Sequence, residues 1–341
     1  MKQLLIGYVG INDLDKVTKR DAQGLDVINL AFAHVKNGEV VCELEQSVSW
    51  MKQIKEWNQE LKFVLSIGGW GAGGFSEAAC SEEGRDRFAK TAVDILEKYH
   101  LDGLDVDWEY PCISIAGIGA LPEDKENFTL LLARLRKELD RVTDRHCLLT
   151  IAGGGDRYYT RCTQLDQAVQ YLDYVQLMSY DLRGGYTITT GHHTNLYGNQ
   201  ADYHECSTQE GVKAYLEAGV PREKLVIGAA FYSRMWSKVP DVNHGWMQMA
   251  KTTGGYGPDF TELKESYINK NGFVRYWDEE AKAPYLYNGD VFISYDDEES
   301  IAEKVKFMKE QGLAGIMYWE YGCDLTHTLM DTLIQTMQKE Q

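Results

Sequence analysis

No apolar run in these 341 residues approaches the length needed to cross a bilayer, so a helical membrane span is excluded. Positive charge is in short supply: 35 Lys and Arg stand against 52 Asp and Glu, a net charge of −17. That balance argues against nucleic acid or an anionic membrane surface as partner, and leaves a neutral polymer or a small neutral ligand. Cysteine is present but without pattern. Cys42, Cys80, Cys112, Cys147, Cys162, Cys206 and Cys323 are scattered, odd in number and free of any C-x-x-C pair, which speaks against a disulfide framework and a zinc ribbon. A G-x-G-x-x-G turn after the first apolar strand is missing, so a doubly wound nucleotide-binding sheet is disfavoured. No apolar leader precedes Leu4–Val9; Met1-Lys-Gln runs directly into that strand. The expectation is a cytoplasmic protein, or a secreted one whose leader has been removed.

What is plentiful is apolar and aromatic. With 44% hydrophobic residues the chain can build a large core, and its 8 Trp, 21 Tyr and 10 Phe include enough rings to serve a sugar cleft, where flat apolar faces cover pyranose C–H groups. Eight short β-rich runs recur: Leu4–Gly10, Val27–His34, Phe63–Gly69, Leu104–Tyr110, Leu148–Gly153, Tyr174–Tyr180, Leu225–Tyr232 and Gly315–Trp319. Most are apolar on both parities, as strands covered on both faces are. Amphipathic helical patterns lie between them, over 82–99, 122–141 and 299–311 and after the capping box Ser207–Glu210. Pro122 is placed at a first helical turn. Eight strands alternating with helices close most simply into a (β/α)8 barrel, the TIM barrel architecture. Between strands 7 and 8 the connection is too long for a plain loop. Gly272–Asp278 and Ala283–Tyr287 look like paired strands and Thr261–Asn269 like a short helix, so 236–292 is read as a small α+β insertion on the rim. The barrel then comprises 1–235 and 293–341.

The stretch from Leu101 to Pro111 carries the chemistry. It alternates Leu104, Val106 and Trp108 with Asp105, Asp107 and Glu109. A period of two puts the three carboxylates on one strand face, with neighbours about 6.6 Å apart. Carboxylates that close repel, so at least one keeps a proton near neutral pH. A solvated edge strand fits poorly, because the apolar residues need cover and Pro111 ends the run abruptly. In a barrel the acids point into a lumen normally filled with branched apolar side chains, and working groups sit at the C-terminal strand ends. Buried acids are costly without partners. Two uses remain: binding two metals, or general acid work by a carboxyl of raised pKa. No His flanks this strand and, Asp181 apart, no second acidic pair is obvious, so proton transfer is favoured and no metal or cofactor is expected.

Asp102-Gly-Leu-Asp105-Val-Asp107-Trp-Glu109 resembles the D-G-x-D-x-D-x-E signature of the family 18 chitinases. Ser66-Ile-Gly-Gly69, Gln176-Leu-Met-Ser-Tyr-Asp181, Gly228–Arg234 and Met317-Tyr-Trp-Glu320 resemble further segments of that family, in the order a barrel requires. The resemblance covers essentially the whole chain, including the insertion. It implies a retaining hydrolase of β-1,4-linked N-acetylglucosamine, with chitin or chito-oligosaccharides as substrate and the protein a monomer. Glu109 is then the acid, and the nucleophile is the carbonyl oxygen of the substrate's own acetamido group. Asp107 holds the acetamido N–H, and Asp105 shares a proton with Asp107. Tyr180 bonds the acetamido oxygen, with Met178 and Asp181 beside it. Trp319 lies under the sugar; Tyr8, Phe32, Trp70, Tyr110, Tyr232 and Arg234 are candidates for lining the cleft.

Some of these have plain alternatives: Tyr8 and Phe32 also fit barrel core, Gly68-Gly69 a mere close turn, and Trp108 packing beneath the helices. His192-His193 reads as a surface or cleft-rim pair rather than a metal site. Competing functions are a non-catalytic chitin-binding lectin, an endo-β-N-acetylglucosaminidase or peptidoglycan hydrolase on the same fold, and a metal-dependent phosphoesterase, which alone predicts sensitivity to EDTA.

Overall fold

A computed structural model describes residues 2–339; the outermost limits of the barrel segments, residues 1, 340 and 341, lie outside it. Eight parallel strands are present: Leu4–Gly10, Val27–Lys36, Lys62–Gly68, Gly103–Asp107, Leu148–Gly154, Tyr174–Met178, Leu225–Ala230 and Gly315–Trp319. Each pairs with the next, and the first pairs with both the second and the eighth, which closes the barrel. The fifth, sixth and seventh strands are buried along their whole length, the reason they read as largely apolar runs. Helices Glu82–Tyr99, Asp124–Leu139 and Glu298–Glu310 fall where the periodicity placed them. The details differ at their starts. Pro122 stands ahead of the helix rather than in its first turn, and Ser207 caps Glu210 N–H without the return bond of a full capping box. The complete box is formed instead by Asp297 and Ser300.

The connection between the seventh and eighth strands forms its own antiparallel sheet, in the order Gly255–Asp259, Tyr232–Ser237, Val291–Ser294, Ala283–Tyr287, Val274–Asp278. Trp236, Trp246, Tyr285, Tyr287 and Phe292 pack its core. The sheet therefore runs from Tyr232 to Ser294, wider than the span 236–292. Tyr232 and Arg234 belong to it and not to the seventh barrel strand, which ends at Ala230. A buried ion pair stands where the chain leaves the sheet for the barrel: Lys304 Nζ lies 2.5 Å from Asp296 Oδ2, and the same oxygen accepts from Thr194 Oγ1 and the Ala230 N–H.

The two faces of the fourth strand have opposite tasks. Trp108 turns outward, 1% exposed, stacks on Phe75 with centroids 5.4 Å apart and meets Phe128 edge-on. Truncating a side chain so enclosed leaves a cavity that its neighbours cannot fill. Trp108→Ala is expected to cost about 3–5 kcal/mol, read as a lowered denaturation midpoint; a loss under about 1 kcal/mol would mean the site collapses freely.

Candidate active site

The barrel register brings polar groups from several strands to one level of the lumen. Ser66 and Thr150 sit directly opposite Asp105 on the two neighbouring strands. Their hydroxyls donate to the Asp105 carboxyl at 2.7 Å each. Tyr8 Oη and Gln176 Nε2 each donate to it at 2.9 Å, and Asn29 Nδ2 donates in turn to Gln176 Oε1 at 2.9 Å. Asp105 is thus a buried carboxyl with four donors from four strands. Burial pushes its pKa up, and these hydrogen bonds pull it back. No hydrogen bond joins Asp105 to Asp107 here; the Asp105 oxygens are taken by the surrounding strands.

Asp107 differs sharply. It is 4% exposed and its Oδ1 is buried without a hydrogen-bond partner in the protein. Burial, then Glu109, then Asp105 hold its carboxyl well above the ordinary range. Its backbone is gripped by the third strand, where Gly69 N–H donates to the Asp107 carbonyl at 3.0 Å. Gly68, at φ +125°, comes so close that a Cβ there would lie 2.0 Å from that carbonyl oxygen. The two glycines serve the close turn, and the approach itself is what excludes side chains.

Glu109 lies two residues past the strand end, 9% exposed. Burial is the largest influence on its carboxyl, the Tyr110 phenol opposes it and the Asp181 charge adds to it; the outcome is a pKa of about 7. Such a carboxyl is protonated in a large share of molecules at neutral pH and can give the proton up, the requirement for a general acid. Tyr180 is buried, and its hydroxyl points to Met317 Sδ at 3.7 Å. A thioether is a weak acceptor, so this donor is available to a better one. Met178 lies beside it in the same buried cluster. Asp181 has φ +55° and accepts from Arg234 Nε at 2.6 Å. Burial would raise its pKa, but His193 and Arg234 outweigh it and hold the carboxyl below the ordinary range.

Aromatic rings surround these groups. Trp319 stacks on Phe32 with centroids 5.3 Å apart and meets Tyr8 edge-on at 5.6 Å. Tyr110 is half-buried, Trp70 is 50% exposed just beyond the third strand, and Tyr232 meets Tyr180 edge-on. Tyr8 is corrected by the structure. It is only 2% exposed and its hydroxyl is committed to Asp105, so it supports the acid column from below and does not line the cleft. The His192-His193 pair is corrected as well: both rings are buried, His193 against Asp181 and His192 against Asp278.

Several functional neighbours carry little signal in the sequence. Thr150, Gln176 and Asn29 complete the shell of Asp105, and Tyr256 of the inserted sheet stacks on the Arg234 guanidinium at 4.0 Å. Gln176 had a visible signal, a lone amide inside the apolar run Tyr174–Met178. Tyr256 had none, because its partner is defined only by the antiparallel pairing with Arg234.

Comparison with known proteins agrees with this architecture. Residues 5–324 match the model of the glycosyl hydrolases family 18. A solved family 18 N-acetylglucosaminidase from Paenibacillus barengoltzii is 53% identical, with TM-score 0.96 over 98% of this chain and 99% of that one. Chitinase A1 of Niallia circulans is 38% identical over 84% of this chain, and chitotriosidase-1 of Mus musculus 31% identical over 80%. This chain spans 44% and 61% of the lengths of those two curated relatives. With a family match over nearly all its length and an acid column at the mouth of the fourth barrel strand, the chain belongs to family 18 of the glycosyl hydrolases.

Proposed function

We propose that the protein is a retaining glycoside hydrolase that cleaves β-1,4 bonds between N-acetylglucosamine units of chitin or chito-oligosaccharides, by substrate-assisted catalysis. The observation that carries this reading is how the carboxylates are committed. Asp105 is saturated by four donors, and Asp181 is held by Arg234 and His193. Glu109 and Asp107 remain, on one face of one strand. Two groups so placed do not flank a sugar ring on both sides, so the nucleophile comes from the substrate.

In this mechanism Glu109 protonates the glycosidic oxygen as the acetamido carbonyl oxygen attacks the anomeric carbon. The bond to the leaving sugar breaks and an oxazolinium ion forms. The unpartnered Oδ1 of Asp107 receives the acetamido N–H, and the carboxyl stabilises the positive charge that develops. Tyr180 turns its hydroxyl from Met317 to the acetamido oxygen, and Trp319 supports the sugar from beneath. Water then attacks the anomeric carbon from the face the leaving group vacated, and Glu109 takes its proton. The configuration is retained.

An N-acetylglucosamine-derived thiazoline, which mimics the oxazolinium, is expected to inhibit competitively, and the first-formed product is expected to be the β anomer. Inversion, or indifference to the thiazoline, would remove acetamido participation. The Paenibacillus barengoltzii structure is described as an N-acetylglucosaminidase, which favours a second reading in which single N-acetylglucosamine units leave a chain end. Product analysis on defined oligomers separates the two.

A further inference from the structure

The buried pair His192-His193 has no place in that mechanism, yet it stands between the inserted sheet and the acid column. We propose that His193 is a positioning residue that fixes the Asp181 carboxylate beside Glu109, and that His192 anchors this arrangement to the inserted sheet. The inference rests on the functional reading above only for what Glu109 does; the contacts are independent of it.

Asp181 adopts a left-handed backbone at φ +55°, a conformation that aspartate tolerates better than most residues but that its contacts here hold in place. His193 supplies such contacts. Its Nδ1 accepts the Asp181 N–H at 3.4 Å and lies 3.6 Å from Oδ1, while its ring packs on Tyr232 with centroids 5.3 Å apart. It is 0% exposed, and burial depresses its pKa against the pull of Asp181. The groups facing it are Asp181, Arg234 and Asp296, the last paired with Lys304.

The strand of loop that carries His193 is itself held from both sides. Leu182 N–H donates to the His193 carbonyl at 3.0 Å on the barrel side, and His193 N–H donates to Ser294 Oγ at 2.8 Å on the sheet side. Next door, His192 Nε2 lies 3.1 Å from Asp278 Oδ2 and its ring meets Trp246 at 4.4 Å. Back to back, the two imidazoles connect the inserted sheet to Asp181.

The consequence reaches the acid. Glu109 faces Asp107 on its own strand, Asp181 beyond the sixth strand, and the phenols of Tyr110, Tyr159, Tyr180 and Tyr256. Asp181 is the charge that helps keep Glu109 protonated. Without His193 the Asp181 carboxylate is left to Arg234 alone and turns further onto that guanidinium, so Glu109 loses its proton at lower pH.

The test is the titration of Glu109, followed by carboxyl carbon-13 NMR and assigned by the signal lost in Glu109→Gln. His193→Phe keeps the ring but removes the acceptor; the Glu109 midpoint is expected to fall by about half a unit, and kcat/KM at pH 8 by roughly threefold. His193→Asn, whose side-chain oxygen reaches the position of Nδ1, is expected to restore both. Asp181→Asn should lower the midpoint at least as far, and adding His193→Phe to it should lower it no further. A midpoint unmoved in His193→Phe, or a full extra shift in the double variant, overturns the proposal. Should His193→Phe fail to fold, Asp278→Asn, which weakens the His192 anchor, must shift the midpoint in the same direction, and an unmoved value there overturns it equally. Because the titration is read without turnover, a failure of the glycosidase reading leaves this result separately decided.

Discussion

Glu109→Gln is expected to lower kcat/KM on a chitobiose or chitotriose chromogenic substrate by about a thousandfold, near 4 kcal/mol of transition-state stabilisation. The amide has the shape of the acid it replaces, so the enclosed site is kept. It can still donate a hydrogen bond to a glycosidic oxygen, but it cannot transfer a proton to it. Affinity for the intact oligosaccharide, measured by calorimetry, should therefore change by no more than about threefold, since ground-state contacts survive when only transition-state stabilisation is removed. The pH dependence of the unaltered enzyme belongs to the same argument. A general acid works while protonated, and the Glu109 carboxyl is pushed up to about 7. Activity should fall as pH rises through that value, and the fall should follow the free enzyme when plotted as kcat/KM. Residual turnover in the variant above about a tenth of the original would reject Glu109 as the acid.

The sequence made the barrel legible because its strands are covered on both faces and its helices on one. Strands such as Leu148–Gly154 and Leu225–Ala230 have no polar face to disguise their period, so all eight were found with ends displaced by only a few residues. The acid column was legible for the opposite reason: acids alternating with apolar residues on a strand that cannot be at an edge are conspicuous. What the sequence concealed is pairing across the chain. Asp105 finds its donors on the first, third, fifth and sixth barrel strands, up to 97 residues away in the case of Tyr8, and nothing local to Tyr8 distinguishes a cleft aromatic from a buried phenol aimed at a carboxyl. The sequence runs Tyr232 and Arg234 on from the seventh strand because the chain passes from one sheet to the other across a single residue, Phe231. The histidine pair misled for a related reason. Polar residues in a long loop usually face water, but this loop is sandwiched between two sheets, a fact fixed by its partners Ser294 and Asp296 far along the chain.

Asp107→Asn tests the other half of the mechanism, and a loss of about a hundred- to a thousandfold in kcat is expected, with KM changed little. Asparagine keeps the volume of the side chain and an oxygen able to accept the acetamido N–H. What it lacks is any negative charge to offer when the oxazolinium forms, and the surroundings supply no substitute. Asp105 is turned to its own four donors, and the Asp181 carboxylate is held in its ion pair with the Arg234 guanidinium 2.6 Å away. Asp107 is 4% exposed, so bulk solvent screens the developing charge poorly, and the loss should appear in kcat and not in binding. The thiazoline separates this from simple misfolding. It carries the bicyclic shape of the intermediate, so its affinity should fall in Asp107→Asn by about tenfold or more, while affinity for the unreacted oligosaccharide is retained. Equal losses for both ligands would show that Asp107 merely binds the acetamido group, and the charge stabilisation would then have to be sought elsewhere in the barrel mouth.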